Sequence, residues 1–154
     1  MIHENIYDFL MYGKLNNIPF GIVRSAFLDI MGETRHVVVN EKKKHLPVIY
    51  KYHRVEFHFS NFRNDATLFG IAFQPQSFIA NHESFVFKEF ELEQIQTLEN
   101  VIETLNRLNV IHQSSKHDFN EKAIILTTVN QVKLYFQPFK EQDTLILCQV
   151  SKFQ

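Results

Sequence analysis

The chain has a single cysteine, no tryptophan, four glycines and four prolines in 154 residues. One cysteine, Cys148, excludes an internal disulfide and agrees with a reducing, cytoplasmic setting. The glycines are too scattered to cradle a phosphate, since none falls in a G-x-G-x-x-G or G-x-x-x-x-G-K pattern. No stretch approaches the ~20 apolar residues that a membrane-spanning helix needs. The opening residues, Met-Ile-His-Glu-Asn, offer neither a basic segment nor an apolar run, so no secretory signal is read there. An excess of charge is missing too. Sixteen Lys and Arg against 17 Asp and Glu leave a formal charge of −1, without the positive field that drives phosphate binding through counterion release. Nucleic acid and membrane are therefore not expected partners.

What is present is a hydrophobic share of 45% with 16 phenylalanines, enough to give one domain of this length a Phe-rich core. Within it the chain echoes itself. Val55-Glu56-Phe57-His58-Phe59 returns 77 residues later as Val132-Lys133-Leu134-Tyr135-Phe136. At the same offset Val48, Tyr50 and Tyr52 fall onto Ile125, Thr127 and Val129, and Phe69, Ile71 and Phe73 fall onto Ile146, Cys148 and Val150. Leu28 and Met31 fall onto Leu105 and Leu108. A repeat of this kind implies units that bury one another's apolar faces. The expectation is a single domain, 1–154, made of two pseudo-repeats at about 18–77 and 92–154.

Periodicity fills in the elements. Ile2, Ile6, Phe9 and Leu10 predict a short amphipathic helix ending near Gly13, outside the repeat. Ile22, Val23, Ala26, Phe27, Ile30 and Met31 predict the first repeated helix, with Gly32 as a left-handed cap. Residues 36–40 read as an edge strand. Val48–Tyr52 and Val55–Phe59 read as a hairpin turning at His53-Arg54, and the second copy turns at Asn130-Gln131. A strand follows at 67–73, ended by Pro75. Another short strand is read at 85–90. From Leu92, the positions Ile95, Leu98, Val101, Ile102, Leu105 and Leu108 give the second helix. Strands at about 123–129, 132–138 and 144–150 complete the second unit. The fold class expected is α+β, two tandem helix-plus-antiparallel-meander units packed as one domain with an extra N-terminal helix.

Strand alternation then separates two faces. Val48, Tyr50, Tyr52, Val55, Phe57 and Phe59 share the apolar one. Ile49, Lys51, Glu56 and His58 share the other, with Lys133 and Tyr135 at the positions equivalent to Glu56 and His58. Gly70 and Ala72 fall on that side as well and leave a shallow groove flanked by charged and aromatic groups. Lys51, Glu56, His58, Lys133 and Tyr135 are the candidate partner contacts, in competition with helix surfaces and the 60–65 loop.

Catalytic and metal constellations fare worse. The histidines at 53 and 58, and at 112 and 117, are five apart, which sends them to opposite faces of a strand and about 140° apart on a helix. Neither pair is joined by the further ligands that zinc requires, so no metal and no cofactor is expected. Cys148 alternates with Ile146 and Val150 as a core thiol would. Among the carboxylates, Glu91 and Glu93 suit the positive end of the helix that follows, and nothing in the spacing pairs Asp118 with Glu121 for acid–base work. Phe57, Phe59 and Phe136 belong to the inward set and not to a base-stacking platform. No catalytic residue is named, and the chain is not expected to be an enzyme.

One resemblance rests on Ile18-Pro19-Phe20-Gly21, the helix ending Leu28-Asp29-Ile30-Met31-Gly32, and Tyr50-Lys51-Tyr52-His53-Arg54-Val55-Glu56-Phe57-His58-Phe59. Over about 18–75 the chain resembles small bacterial immunity proteins of contact-dependent inhibition and related polymorphic-toxin systems. That resemblance implies a cytoplasmic protein that binds the C-terminal domain of one cognate toxin and blocks its active site. It carries over no contact residues. Two other classes stay open: an assembly or scaffold protein of the cell envelope, and a small ligand-binding protein or enzyme with a site between the halves.

Overall fold

The computed structural model describes residues 2–39, 42–43, 45–75, 96–140 and 142–154, together with the backbone of 85–88. In chain order the elements are β1 (Ile2–Asn5), α1 (Ile6–Tyr12), α2 (Arg24–Met31), β2 (Val37–Val38), β3 (Val48–Tyr52), β4 (Val55–Phe59), β5 (Leu68–Phe73), β6 (Phe85–Lys88), α3 (Leu98–Arg107), β7 (His112–His117), β8 (Asn120–Thr128), β9 (Lys133–Pro138) and β10 (Leu145–Phe153). Eight strands form one sheet in the order β2-β3-β4-β5-β10-β9-β8-β7, with every neighbour antiparallel. β1 and β6 pair in parallel as a separate two-stranded sheet.

This corrects the expected α+β class. Helix makes up 19% and strand 43% of the structure, so the protein is mostly β, an eight-stranded antiparallel sheet with three short helices among the described residues. The physical reason lies at the middle of the sheet. β5 pairs directly with β10, through Phe73↔Val150 and Ala72↔Ser151, so backbone hydrogen bonds run unbroken where a seam between packed units was expected. β7 was not anticipated at all, because His-Gln-Ser-Ser-Lys-His offers no apolar alternation.

The 77-residue echo holds for one strand pair and fails for its neighbour. Val55, Phe57 and Phe59 are buried, and so are Val132, Leu134 and Phe136. Val48, Tyr50 and Tyr52 are also buried, but Val129 is exposed and Ile125 pairs with Tyr135 on the opposite face. The hairpins differ by one loop residue. Tyr52↔Val55 closes the first over two residues. Thr128 N–H donates to the Val132 carbonyl, leaving three residues, 129–131, in the second loop. A one-residue change flips every side chain on the strand before it, so the two-residue turn expected at Asn130-Gln131 is also corrected. His53 (φ 54°) and Gln131 (φ 64°) supply the positive φ values that tight turns need.

All three helices cover one face of the sheet. Phe27 of α2 is at the centre of an aromatic cluster, its ring centroid 4.9 Å from Phe59, 5.0 Å from Phe57, 5.7 Å from Tyr52 and 6.1 Å from Tyr50. No side chain caps the start of α2. Instead, the loop before β5 offers carbonyls, with Arg24 N–H on Ala66 O at 2.7 Å and Ser25 N–H on Asn64 O at 3.1 Å, which satisfies donors that a helix start leaves open. Gly32 ends α2 at φ 72° and ψ 175°, a positive-φ stop but not the left-handed α cap expected. α3 starts at Thr97, whose hydroxyl accepts from Asn100 N–H, and buries Val101 and Leu105. The predicted residues of this helix from 92 to 95 lie outside the described ones, as do 89–90 of the strand read at 85–90.

The N-terminal helix is shorter than its apolar spacing implies. Asn5 caps α1 by accepting from Tyr7 N–H at 2.8 Å, and residues 2–5 before it are β1. Glu4, buried in that strand, accepts from the backbone N–H groups of Asn16 at 2.9 Å and Asn17 at 2.7 Å. A strand residue thus organises the loop after α1.

Candidate functional site

The sheet face opposite the helices holds all five expected partner residues. Cross-strand pairing lays out one row as Lys51, Glu56, Ala72, Ser151, Lys133, Thr127 and Gln113, from β3 to β7. To one side runs a second row, Ile49, His58, Gly70 and Phe153. To the other side runs a third, with Gln149, Tyr135, Ile125 and Ser115. The structure therefore brings Lys51, Glu56 and His58 together. Lys133 shares their face and Glu56's row, but it is three strand spacings away, roughly 14 Å. Tyr135 lies on the opposite side of that row from His58.

The Glu56 carboxylate is the electrostatic centre of the first group. Lys51 Nζ lies 2.6 Å from its Oε1, and His58 Nε2 lies 3.3 Å from its Oε2. The His58 contact is close but falls short of an aligned hydrogen bond. His58 is the largest influence holding the Glu56 carboxyl below the ordinary carboxylate range; burial opposes it and the Lys51 ammonium reinforces it. Glu56 is only 8% exposed, a charge already drawn out of water and held by its neighbours.

Beside this group is an aromatic patch that sequence reasoning missed. The His58 ring packs edge-on to Phe153 at 5.1 Å and to Phe69 at 6.3 Å, with Phe69 and Phe153 6.0 Å apart. Gly70 and Ala72 are on this face as anticipated, but the groove over Gly70 is filled by the Phe153 ring. Phe153 nevertheless stays 46% exposed. Phe69 is the residue of β5 that the register skips, at the bulge facing His58 and Phe59, and a bulge cannot be read from composition. Next to Ala72, Ser151 is 1% exposed, and its hydroxyl has no hydrogen-bond partner among the described residues.

Tyr135 belongs to a different locus. With Gln74, His117, Gln137, Cys148 and Gln149 it lines an open cavity of about 390 Å³ that runs from Gln74, just past β5, across β10, β9 and β8 to β7. Cys148 is the bulged residue of β10, between Leu147 and Gln149 in a register that skips it. It is half-buried and not a core thiol, and its Sγ lies 3.4 Å from the Ile146 carbonyl. Burial pushes its pKa up, and a backbone hydrogen bond from Gln137 works against that.

On the 60–65 loop, Arg24 Nε donates to Tyr50 Oη at 2.6 Å and Nη1 to Asn64 Oδ1 at 2.9 Å, while the guanidinium stacks 4.4 Å from the Phe62 ring centroid. That buried cation fixes the loop against α2. Among the described residues, no three His, Cys, Asp or Glu side chains converge as metal ligands, and no helix is long and apolar enough to cross a membrane.

No family model, curated protein or solved structure matches the chain. The site therefore has to be read from its own geometry.

Proposed function

We propose that this protein is an immunity protein that binds the C-terminal domain of a cognate toxin in the cytoplasm and occludes it, using the helix-free face of the sheet. The observation that carries the reading is the pairing of a partly desolvated Lys51–Glu56–His58 group with the exposed ring of Phe153. Binding energy at interfaces concentrates in a few aromatic and charged anchors that exclude water, and a carboxylate already held by Lys51 and His58 has little further desolvation left to undergo. The face also has the necessary size. Eight strands spaced ~4.8 Å apart and about five residues long cover on the order of 35 by 17 Å, comparable with the ~800 Å² per partner of a standard interface.

Co-expression with the toxin encoded next to this gene tests the reading. Cells carrying the wild-type chain are expected to survive, and Phe153→Asp is expected to weaken binding at least tenfold in calorimetry while the chain stays folded. Unprotected cells, or wild-type affinity in that variant, would sink it.

The cavity at Tyr135 supports a second reading, a small-ligand site lined mostly by the second half of the chain, because Gln74, Gln137 and Gln149 bring side-chain amides to one opening beside Cys148. Its test is alkylation of Cys148. A ligand seated there slows modification of the native protein, whereas a metabolite mixture that leaves the rate untouched counts against this reading.

A further inference from the structure

The two edges of the eight-stranded sheet are unequal. β2 is only two residues long. β7 runs six residues, from His112 to His117, and four of them are exposed. An open strand edge presents unpaired N–H and C=O groups that template the addition of another strand. Natural edges are blunted by proline, charge or bulges; β7 has no proline, one lysine, and a bulge only at its end, between Lys116 and His117.

The direction of its free backbone groups follows from the ladder. β7 pairs with β8 through His112↔Thr128, Gln113↔Thr127, Ser114↔Leu126 and Ser115↔Ile125. One step before, Val129 N–H donates to the Ile111 carbonyl at 2.9 Å, so 111 and 129 form a hydrogen-bonded pair. Such pairs alternate along an antiparallel ladder. Gln113 and Ser115 therefore spend their backbone groups on β8, while His112, Ser114 and Lys116 point theirs to the edge that no strand among the described residues covers.

We propose that this edge is a self-association surface, on which β7 of a second copy of this chain adds antiparallel about a two-fold axis at Ser115. Three observations select that occupant and register. With Ser115 facing Ser115, Ser114 and Lys116 of each copy exchange both backbone bonds with Lys116 and Ser114 of the other, which satisfies outward groups on both strands. Lys116 meets a serine, and His117 meets Gln113. Moving the axis to Ser114 sets His112 against Lys116, a poorer match of basic groups. The Ser115 register also brings Ile111 alongside Phe119 of the other copy. These residues flank β7 at either end, 71% and 94% exposed, and they are the most exposed large apolar side chains among the described residues. A net charge of −1 adds little repulsion between copies. The two sheets join into one, and both helix-free faces end up on the same side, so a dimer presents two partner-binding surfaces together.

Sedimentation of the full chain, at tens to hundreds of micromolar, together with cysteine cross-linking in a Cys148→Ser background, tests the proposal. Facing residues of a non-hydrogen-bonded pair have Cα atoms ~4.5 Å apart, within the ~4.4–6.8 Å span of a disulfide. Ser115→Cys is expected to oxidise to a covalent dimer, and Ser114→Cys, which faces Lys116, is not. Ser114→Pro removes only an outward N–H, and Phe119→Asp changes a solvent-exposed side chain; each is expected to weaken the dimer at least tenfold while leaving the melting temperature of the dilute, monomeric chain unchanged. If Ser114→Pro unfolds, Phe119→Asp decides. A wild-type chain that stays monomeric over this range overturns the proposal. A dimer indifferent to Phe119→Asp, or equal cross-linking at 114 and 115, overturns it as well.

Discussion

The ring of Phe153 occupies the space above Gly70 in which any other residue would place its Cβ, 2.2 Å from the position such an atom would take. Gly70→Ala must therefore expel the ring. The Phe153 ring is half exposed, so it can swing away cheaply, and the loss of stability is expected to stay within about 1 kcal/mol. The His58 ring loses its nearest aromatic neighbour, and its proton chemical shifts should move. Unchanged shifts would mean that the ring does not rest on Gly70.

Glu56 gives a prediction with a sign. Its carboxyl is held below its ordinary value in the folded chain, so folding favours the ionised form. The resulting stabilisation is present above the unfolded-state value of about 4.3 and disappears as pH falls through the folded-state value. Glu56→Gln leaves Lys51 and His58 facing a neutral amide and is expected to cost roughly 1–3 kcal/mol near neutrality. Urea titrations of both proteins should converge as the solution becomes acidic. A gap that persists when Glu56 is fully protonated would assign the loss to packing.

His53 and Gln131 hold positive φ without being glycine. Glycine adopts that backbone freely, whereas a side chain costs roughly 1–2 kcal/mol there, partly offset by glycine's greater entropy in the unfolded chain. His53→Gly and Gln131→Gly are each expected to raise stability by up to about 1 kcal/mol, seen as an upward shift in melting temperature. A lower melting temperature for His53→Gly would show that contacts of the imidazole outweigh turn strain.

The same two loops mark how far the sequence could be read. Val55–Phe59 and Val132–Phe136 alternate cleanly, and both sets of inward residues are buried; the outward placement of Glu56 and Lys133 followed from that alternation, but the row that joins them did not, since it runs through the β5–β10 pairing. The partner of β8's apolar set did not follow, because one extra loop residue at 129–131 reverses the faces, and loop length is invisible to periodicity. The class was misjudged for a related reason. Helical spacing at 22–31 and 98–108 announces helices, but only pairing between distant strands, such as Phe73 with Val150, shows that the strands belong to one sheet. Phe153 and Ser151 escaped notice because their importance comes from β10 lying beside β5.

Tyr52 supplies a last test at the alkaline end. Its hydroxyl donates to the Gly32 carbonyl at the end of α2, and burial first, then Tyr50 and Glu33, push its pKa well above the ordinary tyrosine range. The folded chain therefore keeps a proton that the unfolded chain releases near pH 10, so stability is complete below that value and declines as pH rises beyond it. Tyr52→Phe removes both the hydrogen bond and this proton. It is expected to cost about 1 kcal/mol near pH 8, with the deficit shrinking and then reversing as denaturant titrations are carried toward about pH 11. Parallel curves for the two proteins over that range would show that the Tyr52 hydroxyl ionises as readily in the folded chain as in the unfolded one.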